Sequence, residues 1–359
     1  MQEKTKNMII TIGFITILFS VFIINLFMED KQISTSERRK LTQFPEVTMQ
    51  KIANGEVTKN LEKYAVDQFV ARDFFRGIKS FYSINIFRQK DNNNLFEKDG
   101  KIYKIEYPLK VKNIEMSANK INEICDNYLQ GMNIYYAIIP DKNYYLQNDE
   151  HLTMDYEELK EIMENKLDIK YIDIWQDLSL NDYYNTDIHW RQEKLESVVN
   201  TIKRNMNLKD VGTDYEVKSV GDFYGTYYGQ LGIQVPPDEM YILTNHIIDN
   251  CTTYNYETKK KSKIYEKSNS TDKYDIYLSG ATPIISIENP EAKNKKELLL
   301  FRDSFGSSIA PLFVDNYSKI TLIDIRYISS KILSEYINFN NQDVLFLYSS
   351  LVLNQNILK

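Results

Sequence analysis

Short, wholly apolar segments alternate with helical patterns over most of the chain, and no other feature limits the possible folds as strongly. The apolar segments are residues 134–139, 171–174, 298–301, 320–325 and 344–347. Apolar residues at helical spacing lie between or beside them, at residues 111–129, 156–165, 193–206 and 307–314. Fully apolar strands separated by helices are typical of a parallel sheet that is covered on both faces. The sequence therefore predicts an α/β fold around a parallel central sheet.

Residues 207–292 interrupt this alternation. They contain several glycines, a polar lysine-rich run at residues 259–263 and an alternating apolar pattern at residues 274–278. Alternation with a period of two is typical of antiparallel strands with one exposed face. We therefore expect added antiparallel strands here, either as an insertion on the sheet or as a small β subdomain, and we interpret the lysine run as a solvated loop.

The N-terminal region contains an apolar run, residues 8–28, that carries no charged side chain. As a helix, this run is long enough to cross a hydrocarbon core of about 30 Å. Lys4 and Lys6 precede it and Glu29 and Asp30 follow it, so the positive-inside tendency leaves the N-terminus in the cytoplasm. A cleaved signal peptide is the alternative, but no small-residue cleavage site follows the run. The sequence predicts a single-pass anchor in the cytoplasmic membrane, with the rest of the chain outside.

The predicted organisation has three parts. Residues 1–28 form a cytoplasmic tip and the transmembrane anchor, residues 29–60 form a polar, irregular stalk, and residues 61–359 form one globular domain. At the start of this domain, apolar spacing predicts a helix over residues 60–88. An Asn-rich loop is expected at residues 91–99, followed by a short hairpin around Gly100.

Charge and composition exclude several classes of function. The net charge of −6 disfavours nucleic-acid binding, which requires a basic surface. The three histidines, His151, His189 and His246, show no metal-binding spacing with each other or with the two cysteines. We therefore predict neither a metal nor a cofactor, and we expect His246, in an apolar stretch, to be a core or strand residue. Whether Cys125 and Cys251 pair is left open by the sequence.

Ligands of open parallel sheets bind beyond the carboxyl ends of the strands, and a serine lies at such a place. Ser304 follows the apolar segment 298–301 and precedes a helical pattern. A serine on a strand-to-helix turn exposes its hydroxyl beside backbone N–H groups that can stabilise an oxyanion. The alternative reading is a simple helix N-cap.

An aspartate and a histidine lie two residues apart after another predicted strand. A serine hydroxyl needs a base to attack a carbonyl, and the base needs a carboxylate that fixes its tautomer. Asp187 and His189 supply both groups from one short loop, whereas a surface histidine is the alternative. Asp141 and Lys142, after the apolar segment 134–139, are either pocket residues or part of a turn.

Taken together, these segments resemble the DHHW-motif branch of the alginate O-acetyltransferase family, a group of SGNH-hydrolase-like proteins. Residues 185–190 (Asn-Thr-Asp-Ile-His-Trp) resemble the motif that names this branch, although Ile188 stands where the pattern has its first histidine. Residues 300–306 (Leu-Phe-Arg-Asp-Ser-Phe-Gly) resemble the block that carries the nucleophile. Further similarity lies at residues 138–142, 222–226, 277–280 and 324–327.

The resemblance implies an SGNH-like α/β/α sandwich and a catalytic triad of Asp187, His189 and Ser304. It also implies O-acetylation of an extracellular or cell-surface polysaccharide through an acetyl-serine, outside the cytoplasmic membrane. Relatives of this kind work beside a multi-pass membrane acyltransferase that delivers the acetyl group.

Several further residues are candidates for binding the oxyanion or the substrate. The N–H of Ser304 or Phe305 is expected to hold the oxyanion. Arg326 is expected either to bind an acidic sugar or the donor, or to form a structural ion pair. The candidate platforms for sugar rings are Trp190, Tyr224 and Tyr227.

Two other functions remain open from the sequence. One is a secreted carbohydrate acetyl-esterase, which would use the same triad. The other is a non-catalytic module that binds a polysaccharide or a synthase.

Overall fold

The computed structural model describes residues 3–146, 151–209, 212, 214–266, 270 and 272–359. Its contacts divide the chain into two compact units. The first unit comprises the chain up to Asn92 together with Tyr228–Gln234, and the second comprises Asn93–Tyr227 and Val235–Lys359. The site described below lies entirely within the second unit.

The α-helices of the described residues are α1 (Glu3–Phe27), α2 (Met49–Ala53), α3 (Glu56–Asp67), α4 (Arg72–Phe81), α5 (Val111–Tyr128), α6 (Tyr156–Lys166), α7 (Glu196–Asn205), α8 (Thr226–Leu231), α9 (His246–Asn250), α10 (Phe305–Ile309) and α11 (Ser350–Gln355). The strands are β1 (Ile33–Ser34), β2 (Arg39–Lys40), β3 (Leu95–Lys98), β4 (Lys101–Lys104), β5 (Asn133–Ile139), β6 (Lys170–Tyr171), β7 (Glu216–Phe223), β8 (Asp238–Thr244), β9 (Thr252–Asn255), β10 (Lys260–Ser262), β11 (Ile284–Glu288), β12 (Glu297–Arg302), β13 (Lys319–Ile323) and β14 (Asp343–Ser349).

The central sheet of the second unit has eight strands in the order β10-β9-β11-β13-β12-β14-β5-β6. The five strands from β13 to β6 are parallel to one another. Two adjacent inner strands, β12 and β14, are buried almost throughout, as expected for strands covered on both faces. The predicted α/β fold around a parallel sheet is therefore confirmed, and the loops that follow these strands meet at one edge.

The segment 207–292 contributes antiparallel strands in two places. Strands β9, β10 and β11 extend the central sheet with antiparallel pairs, while β7 and β8 form a separate pair. The strand expected at residues 274–278 is wrong. The Asp272 side chain accepts a hydrogen bond from the Tyr274 N–H and starts a helical turn there instead. Residues 210–211, 213, 267–269 and 271 lie outside the described residues.

Two other local predictions differ from the structure. The strand expected at residues 171–174 is only β6, because Asp173 Oδ1 accepts a hydrogen bond from the Trp175 N–H and a helical turn follows. The loop expected at residues 91–99 contains β3, which forms the predicted hairpin with β4.

The first unit contains α1, which is long and apolar enough to span a membrane, with a mean hydropathy of 2.5 and no buried residue. The helix expected over residues 60–88 is split into α3 and α4, because Ala71 adopts a positive φ of 52° between them. The region expected to be an irregular stalk contains the β1–β2 pair and α2.

Both cysteines are free and buried in the core of the second unit. Burial raises the pKa of the Cys125 and Cys251 thiols to about 12, so both are inert thiols rather than nucleophiles.

Candidate active site

Ser304 lies where the buried strand β12 passes into α10, in the segment of residues 302–306 that we call the serine turn. The residue has helical dihedral angles, φ −61° and ψ −25°, so its backbone is unstrained. Asp303 Oδ1 accepts a hydrogen bond from the Phe305 N–H at 3.0 Å. Asp303 Oδ2 accepts from the backbone and hydroxyl of Ser349, at 2.8 and 2.6 Å. The buried Asp303 carboxylate thus fixes the serine turn to the end of β14.

Asp187 and His189 lie in a segment that we call the histidine loop, residues 184–190, which returns to the same edge of the sheet. His189 Nδ1 is 2.5 Å from Asp187 Oδ1, and His189 Nε2 is 2.7 Å from Ser304 Oγ. Asp187 is fully buried, His189 is nearly so, and Ser304 is half-buried. The three predicted residues therefore form one continuous chain of hydrogen bonds that ends at an accessible hydroxyl.

The second oxygen of Asp187 has its own fixed partner. Asp187 Oδ2 accepts a hydrogen bond from the Thr226 N–H at 2.6 Å, and the preceding Gly225 N–H donates to Thr186 Oγ1 at 2.9 Å. A Cβ on Gly225 would lie 2.3 Å from the Asp187 Cβ, so only glycine permits this close approach. These contacts leave Oδ1 facing the imidazole.

Two buried charged groups hold the backbone of the histidine loop. Asp238 accepts hydrogen bonds from the N–H groups of Asn185 and Thr186, both at 2.8 Å, and from the Thr186 hydroxyl at 2.7 Å. Lys142 Nζ donates to the carbonyls of Tyr184, Asn185 and Asp187 at 2.9, 3.1 and 3.0 Å. Three carbonyls match the three protons of an ammonium group, so Lys142 is a clamp on this loop.

Asp141 and Lys142, in the turn after β5, are both buried, and the pKa values of both side chains are shifted. Burial lowers the pKa of Lys142 to about 7, against the opposing attraction of Asp187 and Asp238. Burial raises the pKa of Asp141 to about 6, although its carboxylate accepts hydrogen bonds from the Tyr156 and Ser350 hydroxyls. Asp141 therefore supports the scaffold, while Lys142 contacts the loop that carries the histidine.

Aromatic rings fix the plane of the imidazole. The Tyr274 ring stacks on His189 at 3.9 Å between centroids with an angle of 12°, and Phe305 lies 4.8 Å away. Tyr274 and Trp190 both donate hydrogen bonds to Ser308 Oγ, at 3.0 and 2.8 Å. The imidazole is thereby restricted to the orientation in which it bonds both Asp187 and Ser304.

Two backbone N–H groups, those of Ser304 and Phe305, are candidates for binding the oxyanion. The Phe305 N–H already donates to Asp303, so the expectation that it holds the oxyanion conflicts with its observed hydrogen bond. The Ser304 N–H remains the candidate donor at this position.

The three aromatic residues proposed as sugar platforms differ in their exposure to solvent. Trp190 is fully buried and Tyr227 nearly so, with the Lys142 ammonium 5.4 Å from the Tyr227 ring centroid, so neither ring offers a face to a sugar. The expectation that they are platforms is wrong, because both pack inside the domain. Tyr224 is exposed and stays a candidate platform.

Arg326 occupies the loop after β13 and forms an ion pair. Its Nε and Nη2 donate to the two oxygens of Asp324 at 2.8 and 2.7 Å, and Asp324 raises the pKa of Arg326 against the effect of burial. This is the structural alternative expected from the sequence. A role of Arg326 in binding an anion stays a prediction.

The other two histidines lie away from this chain of hydrogen bonds. His151 stacks on Phe96 at 3.6 Å. His246 is exposed beside Glu291 at the start of α9, so its expected place in the core or a strand is wrong. Its apolar neighbour Ile248 enters the core instead. Among the described residues, no group of three or more His, Cys, Asp or Glu side chains is arranged to hold a metal.

Three residues of the site were not singled out from the sequence. Asp238, Tyr274 and Asp303 contact the histidine loop or the serine turn, yet each lies in a segment with an ordinary local pattern. Asp303 had one available signal, its position directly before the candidate serine. The other two became recognisable only through contacts with residues more than 45 positions away.

Solved structures that share this fold include the following two. A DHHW family protein from Eubacterium siraeum gives a TM-score of 0.61 at 20% identity, covering 74% of this chain and 95% of its own. Bacillus cereus PatB1, in a structure with a sulfonyl adduct, gives a TM-score of 0.58 at 20% identity, covering 76% and 98%. No family model and no curated protein matches the sequence. The chain thus shares the fold of a DHHW family protein and of PatB1.

Proposed function

We propose that this protein is a serine-dependent O-acetyltransferase that modifies an extracellular or cell-surface polysaccharide through an acetyl-serine intermediate. The observation that carries this proposal is the hydrogen-bond chain from Asp187 through His189 to the accessible Ser304 hydroxyl. An imidazole that is bonded to a buried carboxylate and to a half-exposed alcohol is the arrangement that activates an alcohol for acyl transfer.

In the first half-reaction, Ser304 Oγ attacks the carbonyl carbon of an acetyl donor while His189 Nε2 accepts the hydroxyl proton. Asp187 keeps the other ring nitrogen protonated and stabilises the imidazolium that forms. The Ser304 N–H is the proposed donor that stabilises the oxyanion. The tetrahedral intermediate then collapses, the donor's leaving oxygen takes the proton from His189, and the acetyl group stays on Ser304.

In the second half-reaction, His189 removes a proton from a sugar hydroxyl, whose oxygen attacks the acetyl-serine carbonyl. Collapse of this intermediate releases the O-acetyl sugar and returns the proton to Ser304 Oγ. Water can replace the sugar, so slow hydrolysis of simple acetyl esters is expected. None of these steps requires a metal or an organic cofactor.

The proposed setting is the outer side of the cytoplasmic membrane, with α1 as a single-pass anchor. The length and the full exposure of α1 support the anchor. The two lysines before its apolar run and the two acidic residues after it support this orientation. The acetyl donor is proposed to come from a multi-pass membrane acyltransferase, since the resemblance of the sequence points to such a partner.

Covalent labelling tests the proposed nucleophile. The full chain in detergent is treated with an aryl sulfonyl fluoride, and intact-mass and peptide analysis then locate the adduct. PatB1 carries a sulfonyl adduct in its solved structure, which supports the choice of reagent. We expect one adduct, on Ser304, and none on the Ser304→Ala variant. Labelling elsewhere with Ser304 unmodified would contradict the proposal.

Transfer is separated from its two alternatives by product analysis. The full chain is incubated with an acetylated aryl ester and an oligosaccharide, and mass spectrometry follows both products. An acetyl group on the sugar supports the transferase, and free acetate alone supports the esterase. Glycan binding without any ester turnover, unchanged by Ser304→Ala, would indicate the non-catalytic module.

A further inference from the structure

An exposed apolar surface lies on α4 and on the helical turn that continues it, residues 82–86. Seven side chains form this surface, which we call the aromatic face, and each is between 37% and 69% exposed. They are Phe74, Phe75, Ile78, Phe81, Tyr82, Ile86 and Phe87. Several of them are three, four or seven positions apart, which places them on one side of a helix.

The opposite side of α4 is small and polar, and it is the side that packs against protein. Ser80 is only 1% exposed and donates a hydrogen bond to the Leu231 carbonyl. Arg76 Nη2 donates to the Gln230 carbonyl at 2.7 Å. A Cβ on Gly77 would lie 3.3 Å from the Gly232 carbonyl oxygen, so the backbones approach closely there.

This arrangement is inverted with respect to a helix of a water-soluble domain. Such a helix buries its apolar side and exposes its polar side. Here the first unit buries Ser80, keeps Arg76 and Gly77 partly covered, and leaves five aromatic rings exposed. A contiguous aromatic surface of this kind indicates a contact with something apolar.

The aromatic face belongs to the same unit as α1 and starts beside its C-terminal end. The Val70 N–H donates to Asn25 Oδ1 at 2.8 Å, two residues before α4 begins. Tyr64, on α3, donates to Asp30 at 2.9 Å. Asn25 is near the end of the apolar run, which is where a membrane-spanning helix reaches the headgroups.

We propose that the aromatic face lies in the headgroup boundary of the same bilayer that α1 spans, so that lipid is its occupant. This inference rests on the membrane anchor of the proposed function. Phenylalanine and tyrosine rings are suited to that boundary, where one side is apolar and the other is wet. The exposed basic residues Lys79, Arg88 and Lys90 interrupt or follow the face and suit anionic headgroups. A second attachment beside α1 would hold the first unit against the membrane.

Depth-dependent fluorescence quenching tests this placement in the full chain, reconstituted in liposomes of phosphatidylcholine and phosphatidylglycerol. The two native tryptophans, Trp175 and Trp190, are fully buried and give a constant background. Phe74→Trp and Phe87→Trp each place a reporter on the aromatic face. Lipids with a nitroxide at the 5-position of the acyl chain quench near the headgroups, and lipids labelled at the 12-position quench deeper.

We expect both reporters to lose at least about half of their added emission with the 5-position lipid, and less with the 12-position lipid. Tyr336→Trp is the matched control, an exposed aromatic position in the second unit, and it should lose little. Quenching of the two reporters no greater than that of the control would overturn the proposal. Blue-shifted emission without lipid quenching would also overturn it, because it would mean that protein covers this surface.

A reporter within α1 separates this proposal from its premise. Phe19→Trp should be quenched most by the 12-position lipid if α1 spans the bilayer. If Phe19→Trp is quenched and the two face reporters are not, the interfacial placement fails while the anchor stands. If Phe19→Trp is not quenched either, the anchor fails and the placement fails with it. Acetyl-ester turnover measured on the same samples reports on the proposed chemistry independently.

Discussion

The serine turn and the histidine loop are joined by the hydrogen bond between His189 Nε2 and Ser304 Oγ and by one from Trp190 Nε1 to the Phe305 carbonyl, but the two segments are positioned in different ways. The serine turn is a direct continuation of β12, and Asp303 ties it to the neighbouring strand β14. The histidine loop has no sheet of its own and is held by side chains or backbone from β8, the turn after β5 and the start of α8. The proposed nucleophile, Ser304, is therefore placed by the core of the sheet, whereas the proposed base, His189, is placed by a network of polar contacts.

This difference predicts which property a substitution changes. A lost polar contact around the histidine loop should misplace the imidazole and lower activity, with a smaller effect on the folded state. A lost contact under the serine turn should lower stability more than activity, because the strand still directs Ser304. The five predictions below test this contrast.

Removal of either reacting group should have the largest effect. Ser304→Ala and His189→Ala are each expected to lower kcat for an acetyl ester by about 10³- to 10⁶-fold, and the double variant should lose no more. Groups that act as one unit are not additive, so equal losses are the signature of a shared step. Steady-state kinetics and thermal unfolding check the result. Additive losses in the double variant would mean that the two groups act independently.

Asp187→Asn should have the second largest effect on kcat. The amide keeps the shape of the carboxylate, but it cannot stabilise an imidazolium and can impose the wrong tautomer, so kcat should fall by about 10³- to 10⁴-fold. Asp222→Asn, at an exposed position three residues before Gly225, is the matched control and should leave kcat unchanged. If the melting temperature of Asp187→Asn fell so far that the protein was unfolded at the assay temperature, the loss of kcat would indicate a structural role alone.

Lys142→Met should lower kcat, because Lys142 holds the backbone of the histidine loop. Three hydrogen bonds to backbone carbonyls are lost, and a shift of the loop by about 1 Å can lower kcat by about 10²-fold. Lys101→Met is the matched control, because Lys101 Nζ contacts the Asn185 side chain of the same loop at 2.8 Å from a less buried position. Equal kinetics for both variants would remove Lys142 from the positioning of the base.

The lowered pKa of Lys142 predicts a pH dependence of stability, which the same pair of variants can test. The pKa of Lys142 is lowered to about 7 in the folded state, from an ordinary value of about 10.4. Below about pH 7 both states carry the proton, and the folded state bears the full cost of the buried charge. Between about pH 7 and 10 the unfolded state binds more protons, so the free energy of unfolding gains up to about 1.4 kcal/mol per pH unit from this group. Urea unfolding at pH 7, 8 and 9 should show that Lys142→Met loses this gain and Lys101→Met retains it.

The smallest effect on activity is expected under the serine turn. Ser349→Ala removes the hydroxyl that donates to Asp303 Oδ2 at 2.6 Å, while the backbone N–H contact at 2.8 Å remains. The free energy of unfolding should fall by about 1–2 kcal/mol, with little change in kcat. Chemical denaturation and ester kinetics on the same sample check both values. A loss of kcat larger than that of Lys142→Met would break the contrast between the two segments.

Much of the fold follows from local pattern. The apolar runs at β12 and β14 predicted strands buried on both faces, and the apolar run of α1 predicted a membrane-spanning helix or, alternatively, a signal peptide. Asp187 and His189 are two residues apart, so their approach is also a local matter. Pairing them with Ser304 needed the further inference that the ends of parallel strands share one edge, and the resemblance at both segments supported it.

What the sequence determined by itself is therefore the main strands and helices around the central sheet, an apolar N-terminal helix and the types of residue that could react. Only the tertiary structure decided that Asp238, Lys142 and Tyr274 contact His189 or its loop, that Trp190 and Tyr227 are buried, and that α4 presents its aromatic side outward. The physical reason is that periodicity records which side of an element is apolar. What lies against that side depends on how distant segments pack together.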